Sequence, residues 1–243
     1  MFGSGPLAGA AALLMAMAGP LWAGEIRAAK NEKARPAFDI LSASIRQDDA
    51  ALVFTMAVRG QAGSSVPEPT GKLGGAAVWS YVWPTSFDPS VVGFGHKAGI
   101  LAFAVTSHPD FDDTPLFDED GDGNPANDGR KWHSHWVVLV PDDACGPGAL
   151  KVKDIPAGEA PRLPKTWPKL PILIDSPGWH PTIKGESISV RVPFEAGTEL
   201  KGVKFDGVTA ALRVNANIHS PLLCVTDVYK IASGNLSLPE AID

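Results

Sequence analysis

The residues of this chain best suited to chemistry lie close together, in the stretch LFDEDGDGNPANDGRKWHSHW at 116–136. Its first half carries carboxylates at alternate positions, and its second half carries a His-x-His pair flanked by tryptophans. Carboxylate oxygens suit hard cations such as Ca²⁺, whereas imidazole suits Zn²⁺, Cu²⁺ or iron. We therefore expect two neighbouring sites, or a calcium-bound loop that shapes a histidine pocket, before we expect one shared ion.

The acidic half has the spacing of a calcium loop. Asp118, Asp120 and Asp122 precede Gly123 in a D-x-D-x-D-G pattern. Ca²⁺ requires six to eight oxygens, which alternate residues of a tight turn can direct inwards while the glycine permits the reversal. Asn124 stands where such a loop supplies a backbone carbonyl. To that point the loop resembles an EF-hand loop, and the resemblance implies cation binding by the three aspartates.

The remainder of the loop departs from the EF-hand pattern. Gly129 occupies the twelfth position, where an EF-hand has a bidentate Glu, and the nearest acid is Asp128. The alternative is a hydrated turn without metal, which Asp, Asn and Gly form readily. Eight acids and no Lys or Arg lie between Asp110 and Asp128. Their mutual repulsion favours a bound cation, and Asp112 or Asp113 could complete its ligand shell.

The histidines at 133 and 135 lie two residues apart on a predicted strand. Their side chains therefore point the same way, with roots about 6.5–7 Å apart, so both can reach one metal ion. Further ligands could come from His108, at the end of the preceding predicted strand, or from His219. The alternative is structural, with His133 or His135 capping the core and the other hydrogen-bonded to a backbone carbonyl. Three histidines with an open position would permit catalysis, and a closed set would not.

The letters HSHW also resemble the zinc-bearing His-x-His-Trp strand of alpha-type carbonic anhydrases. That resemblance covers four residues, so no activity is carried over from it.

The elements that position these residues are predicted to be β-strands. Apolar residues alternate at period two in many short segments separated by Gly, Pro and Asp, which favours an all-β, antiparallel β-sandwich over a barrel. About nine strands are predicted, at 38–45, 51–60, 76–83, 99–107, 131–140, 149–155, 187–193, 208–216 and 222–229. The Pro-rich stretch 158–185 cannot form a central strand and is expected to cover the surface as a long loop.

The N-terminal residues predict export. Residues 1–23 are apolar and end in Leu-Trp-Ala, as a secretory signal does, and Gly19-Pro20 interrupts the run too early for a membrane span. Residues 24–37 are expected to be a flexible lead-in and 38–243 a single β-sandwich domain. A periplasmic or secreted location favours oxidised thiols, so we expect a disulfide between Cys145 and Cys224.

Aromatic residues and Met56 offer competing interpretations. Trp79, Tyr81 and Trp83 share a strand face, and core packing is favoured over a sugar-binding platform because the alternate positions Val78 and Val82 are apolar as well. Two other tryptophans, at 167 and 179, are candidates for lining a ligand pocket. Met56 could be an axial haem ligand, but its neighbours on the strand favour a place in the core.

The opening hairpin FDILSASIRQDDAALVFTMAVRG resembles that of DOMON-type and family-9 carbohydrate-binding sandwiches, which implies a secreted module that binds haem or sugar. The preferred hypothesis is an exported protein that binds calcium and, at the His-x-His strand, a transition metal. The alternatives are a ligand-binding module for carbohydrate or haem, and a metal-dependent hydrolase or lyase. Binding is preferred over catalysis because no G-x-S-x-G or S-x-x-K motif is present. Without a basic stripe, nucleic acid is not expected as a partner.

Overall fold

The alternation of apolar and polar residues produces an all-β structure, as expected. The computed structural model describes residues 24–68, 70, 72, 74–108, 123–124, 131–155, 162–167, 178–215 and 222–242. These residues form thirteen strands: β1 (Glu25–Arg27), β2 (Ile40–Asp48), β3 (Ala51–Val58), β4 (Ala77–Pro84), β5 (Ile100–Ser107), β6 (His133–Pro141), β7 (Leu150–Val152), β8 (Thr182–Lys184), β9 (Ser187–Pro193), β10 (Lys204–Phe205), β11 (Val208–Val214), β12 (Leu223–Ile231) and β13 (Glu240–Ala241).

The strands form three antiparallel sheets. One has five strands in the order β1-β2-β3-β9-β8, and a small one pairs β10 with β13. The other six strands close into a barrel in the order β4-β5-β6-β7-β12-β11. The ring closes because β11 pairs with β4 along the run from Val208 opposite Val82 to Arg213 opposite Ala77. The expected nine-strand sandwich is therefore not confirmed. Alternation could not distinguish a sandwich from a barrel, because it predicts one inward face per strand in both architectures.

The outer face of the barrel packs against the five-stranded sheet. Phe54 of β3 lies 4.6 Å from Phe103, 5.9 Å from Trp83 and 5.9 Å from Trp136 between ring centroids. Each of these aromatic side chains is fully buried. Tyr81 and Trp83 are also in this core and Trp79 packs against it, which confirms that the aromatic face of β4 is structural.

Small apolar side chains fill the inside of the barrel. They alternate with the outward-facing aromatic residues on the same strands, as the two faces of a strand must. This inner core consists of Ala76, Val78, Val82, Ala102, Ala104, Val137, Val152, Val208, Ala210, Leu212 and Val214. Its narrow interior suits small side chains, as in other small barrels.

A disulfide joins Cys145 to Cys224, as predicted, with their Cα atoms 5.4 Å apart. It lies where the barrel is most weakly paired, because β7 meets β12 only at Lys151 opposite Cys224. The covalent bond therefore reinforces the closure of the ring at its shortest strand.

Two stretches expected to be irregular contain strands. Part of the expected lead-in forms β1, which pairs with β2 from Glu25 opposite Ser44 to Arg27 opposite Ser42. The Pro-rich stretch ends in β8, at residues 182–184. Both strands have three residues, which is too short for alternation to be recognised. The predicted signal at 1–23 lies outside the described residues. Among the residues that are described, no helix has the length and apolar character to cross a membrane.

Candidate metal centre

Three histidines meet inside one end of the barrel. In the antiparallel pairing of β5 and β6, Thr106 lies opposite His133 and Ala104 lies opposite His135. Residues directly opposite each other share a sheet face, and Ala104 belongs to the inner core. His108 continues the same face at the residue after β5 ends. The structure thus brings together the predicted His-x-His pair and one of the two histidines expected to assist it.

The geometry of this histidine cluster fits a metal ion. One ligand nitrogen from each of His108, His133 and His135 lies within 4.8 Å of the others. The ring centroid of His133 lies 4.4 Å from that of His108 and 4.7 Å from that of His135. Tetrahedral coordination at about 2.0–2.1 Å places ligand nitrogens about 3.4 Å apart, so small side-chain rotations complete the site.

The cluster is also buried and oriented. His108, His133 and His135 are 6%, 5% and 8% exposed. Nδ1 of His133 lies 3.0 Å from the carbonyl oxygen of Lys131. A carbonyl can only accept, so Nδ1 carries the proton and donates it, which leaves the Nε2 lone pair for a metal ion. Nε2 of His133 and Nδ1 of His135 are both buried.

Contacts outside the barrel fix the start of β6. The indole nitrogen of Trp132 donates to the carbonyl of Gly63 at 3.0 Å, and its ring lies 4.9 Å from that of Tyr81. The Tyr81 hydroxyl accepts from the Gly63 N–H and donates to the Ala37 carbonyl. Burial raises the pKa of Tyr81 to about 12, so this hydroxyl keeps its proton at neutral pH. Trp132, the residue before His133, is therefore held by its hydrogen bond to Gly63 and by its ring contact with Tyr81.

The next outward-facing residues of β6 are held as well. The Ser134 hydroxyl donates to the carbonyl of Trp179 at 2.7 Å. Trp136 packs edge to face on Phe103 at 5.0 Å, within the core under the five-stranded sheet. Because its outer face is fixed in this way, β6 cannot rotate about its own axis. His133 and His135 therefore stay directed into the barrel interior.

Thr106 is a member of the site that the sequence analysis missed. Its side chain is buried, and its hydroxyl makes no hydrogen bond to any residue that the structure describes. Ser80 lies opposite Thr106 on the other side, in β4, but its hydroxyl donates to the carbonyl of Ala210 at 2.9 Å. The missing signal was the register of β5 on β6, which a single sequence does not contain.

Most of the predicted calcium ligands lie outside the described residues. This applies to Asp118, Asp120, Asp122 and Asp128, and also to His219. Asn124 is exposed, and Gly123 beside it has a φ of 89°, the left-handed conformation that glycine adopts in turns. The calcium loop stays a prediction.

The other candidate ligand residues belong to the core. Trp167 and Trp179 pack edge to face at 5.9 Å, and the crevice that they border is too narrow for a water molecule. Met56 is fully buried between the five-stranded sheet and the barrel. It lies outside the barrel wall and the histidine cluster lies inside it. Met56 and these histidines therefore cannot be opposite axial ligands of one haem.

No protein-family model, curated protein or solved structure matches this chain. The resemblances of residues 38–60 to carbohydrate- or haem-binding sandwiches, and of HSHW to carbonic anhydrases, stay predictions. The function is therefore inferred from the chemistry of the site itself.

Proposed function

We propose that this protein is an exported metal-binding protein that holds a transition metal ion between His108, His133 and His135. The observation that carries the proposal is the convergence of three buried imidazoles on one point inside the barrel. Two come from alternate positions of β6 and one from the end of β5, so the fold itself assembles the site.

The donor set selects the class of metal. Three imidazole nitrogens favour Zn²⁺, Cu²⁺ or iron over Ca²⁺ or Mg²⁺, which prefer oxygen. The carbonyl of Lys131 orients His133 as outer-shell acceptors orient histidine ligands in metal sites. Burial in a barrel of alanine and valine also shields the ion from competing ligands in solvent.

Export and calcium binding complete the proposal. The Cys145–Cys224 disulfide supports an oxidising compartment, the periplasm or the exterior, where a signal at 1–23 would direct the chain. Calcium at Asp118, Asp120 and Asp122 would lie in the segment that joins His108 to His133 along the chain. An ion bound there would constrain both ends of that segment, and each end carries a ligand of the histidine site.

Elemental analysis of the purified protein tests this proposal. We expect about one equivalent of zinc, copper or iron per chain, and separately calcium that is lost in Asp120→Asn. Zinc affinity should fall by more than about 100-fold in the double variant His133→Ala/His135→Ala, since even outer-shell partners contribute 10–100-fold.

His96→Ala is the matched control. His96 is exposed and paired with Asp88 at 2.8 Å, away from the cluster, so its loss should leave zinc affinity unchanged. Equal zinc binding by the wild type and the double variant would refute the histidine site.

A further inference from the structure

We propose that the metal ion keeps one coordination position for a non-protein ligand, water or a small anion, and that the Thr106 hydroxyl is the hydrogen-bond partner of that ligand. The inference rests on the proposed function, because it concerns the same three-histidine site. It adds a specific residue and a class of ligand to it.

The first step is the position of Thr106 among the histidines. It lies directly opposite His133, which places their Cβ atoms about 4.5–5.5 Å apart. His108 is two residues further along the same face, about 6.5–7 Å away at the backbone. His135 is the diagonal neighbour, about 7–8 Å away. Thr106 therefore lies on the same inner face as all three imidazoles and is a near neighbour of each of them.

The second step is the chemistry of that hydroxyl. Thr106 is 6% exposed, and its oxygen has no hydrogen-bond partner among the described residues. A buried hydroxyl without a partner is costly, so it marks a place where a further polar group belongs. Such a hydroxyl is not among the side chains that commonly ligate these metals. It can, however, both donate to and accept from a ligand that the metal holds.

The third step is the surroundings of Thr106 on the inner face. Ser80, across from it on β4, already donates to the carbonyl of Ala210. Ala104, two residues before it on β5, offers no polar atom. Its small side chain stands opposite His135 and leaves room beside that ring. Among the described residues, the polar group that Thr106 lacks is therefore best supplied by a ligand on the metal.

A three-histidine metal site with an open coordination position has a chemical consequence. Three histidines with a bound water in the fourth position form the type of centre that lowers the pKa of that water and generates a nucleophile. An open position would make the site competent for hydrolytic chemistry, whereas a fourth protein ligand would make it structural.

Azide binding to the Co²⁺-loaded protein tests both parts of the inference. In the wild type we expect azide to change the visible Co²⁺ spectrum and to saturate. Thr106→Val should bind Co²⁺ more weakly than the wild type, because it lacks the hydrogen bond that forms when metal binds, but it should still load fully at saturating Co²⁺, because the three imidazoles remain. Its azide affinity should fall about 10- to 150-fold, the value of a hydrogen bond to a charged group. Thr106→Ser, which retains the hydroxyl, should restore azide affinity.

The control is Thr226→Val, because Thr226 is exposed on β12 and should not affect azide binding. A Co²⁺ spectrum that azide does not change would overturn the open position while the metal site stands. Azide binding that appears in His219→Ala but not in the wild type would also overturn the open position, and it would identify His219 as the ligand that closes the site. Equal azide affinity in Thr106→Val and the wild type, or a loss in Thr106→Ser as large as in Thr106→Val, would overturn the role of the hydroxyl. Failure to bind Co²⁺ at all would overturn the proposed function itself.

Discussion

Replacing Thr106 by valine should stabilise the metal-free protein. The substitution exchanges a hydroxyl for a methyl group of the same shape, on a strand where both residues are favoured. A buried polar group without a partner costs about 1–3 kcal/mol, which valine removes. In a chain of this size, 1 kcal/mol shifts the melting temperature by about 2–4 °C, so we expect an increase of about 2–12 °C. Calorimetry with a chelator present measures it.

The same substitution should stabilise the metal-loaded protein less. If a metal-bound ligand completes the hydrogen bonding of Thr106, the hydroxyl is no longer costly once metal is present. The increase in melting temperature caused by zinc should then be smaller in Thr106→Val than in the wild type. A decrease in the stability of the metal-free variant by more than about 1 kcal/mol would show that the hydroxyl already has a partner, and would refute the reasoning. Thr226→Val, whose hydroxyl is at an exposed position and donates to the Ala211 carbonyl at 3.3 Å, should not stabilise the protein and should lose about 0.5–1.5 kcal/mol with or without metal.

Two further predictions concern the scaffold. Burial alone would raise the pKa of Asp39, but hydrogen bonds from Lys230, the Asn31 N–H and Arg59 hold that pKa below its ordinary value. The contribution of the Asp39 carboxylate to the free energy of unfolding is therefore complete above its unfolded-state pKa. It is lost as pH falls through its folded-state pKa. Asp39→Asn should cost about 1.5–3 kcal/mol, the value of a hydrogen bond to a charged group, in urea unfolding at pH 7 and progressively less as pH falls below the unfolded-state pKa; a pH-independent cost would contradict this. The double variant Cys145→Ser/Cys224→Ser, which opens a link across 79 residues, should lose about 4–5 kcal/mol. An unchanged melting temperature would refute that role.

The strands of the fold were largely predictable, and the way they close was not. All nine predicted strands are present, because period-two alternation is a local property of each segment. Closure depends on Ser80 of β4 lying opposite Ala210 of β11, a pairing across about half the chain. Alternation shows that each strand has an inner face, but it does not show which strand will be its neighbour. A sandwich and a barrel therefore have the same sequence pattern.

The same limit explains what was missed at the site. That His133 and His135 share a face follows from their spacing alone. The direction of that face does not, because β6 has apolar residues on both sides, with Trp136 outward and Val137 inward. Thr106 gave no signal, since a threonine in a strand is ordinary until its cross-strand partner is known to be a histidine.

The burial of both faces of β6 bears on how strongly the site can bind. Ser134 and Trp136 are held on the outer side by a hydrogen bond and by the aromatic core. His133 and His135 alternate with them, so the contacts that fix the outer face also fix the backbone positions from which the two imidazoles project inside. His108 directly follows the end of β5, and its ring is buried against that of His133. Since ordering the chain on binding weakens binding, ligands whose backbone positions are fixed in advance allow more of the coordination energy to appear as affinity.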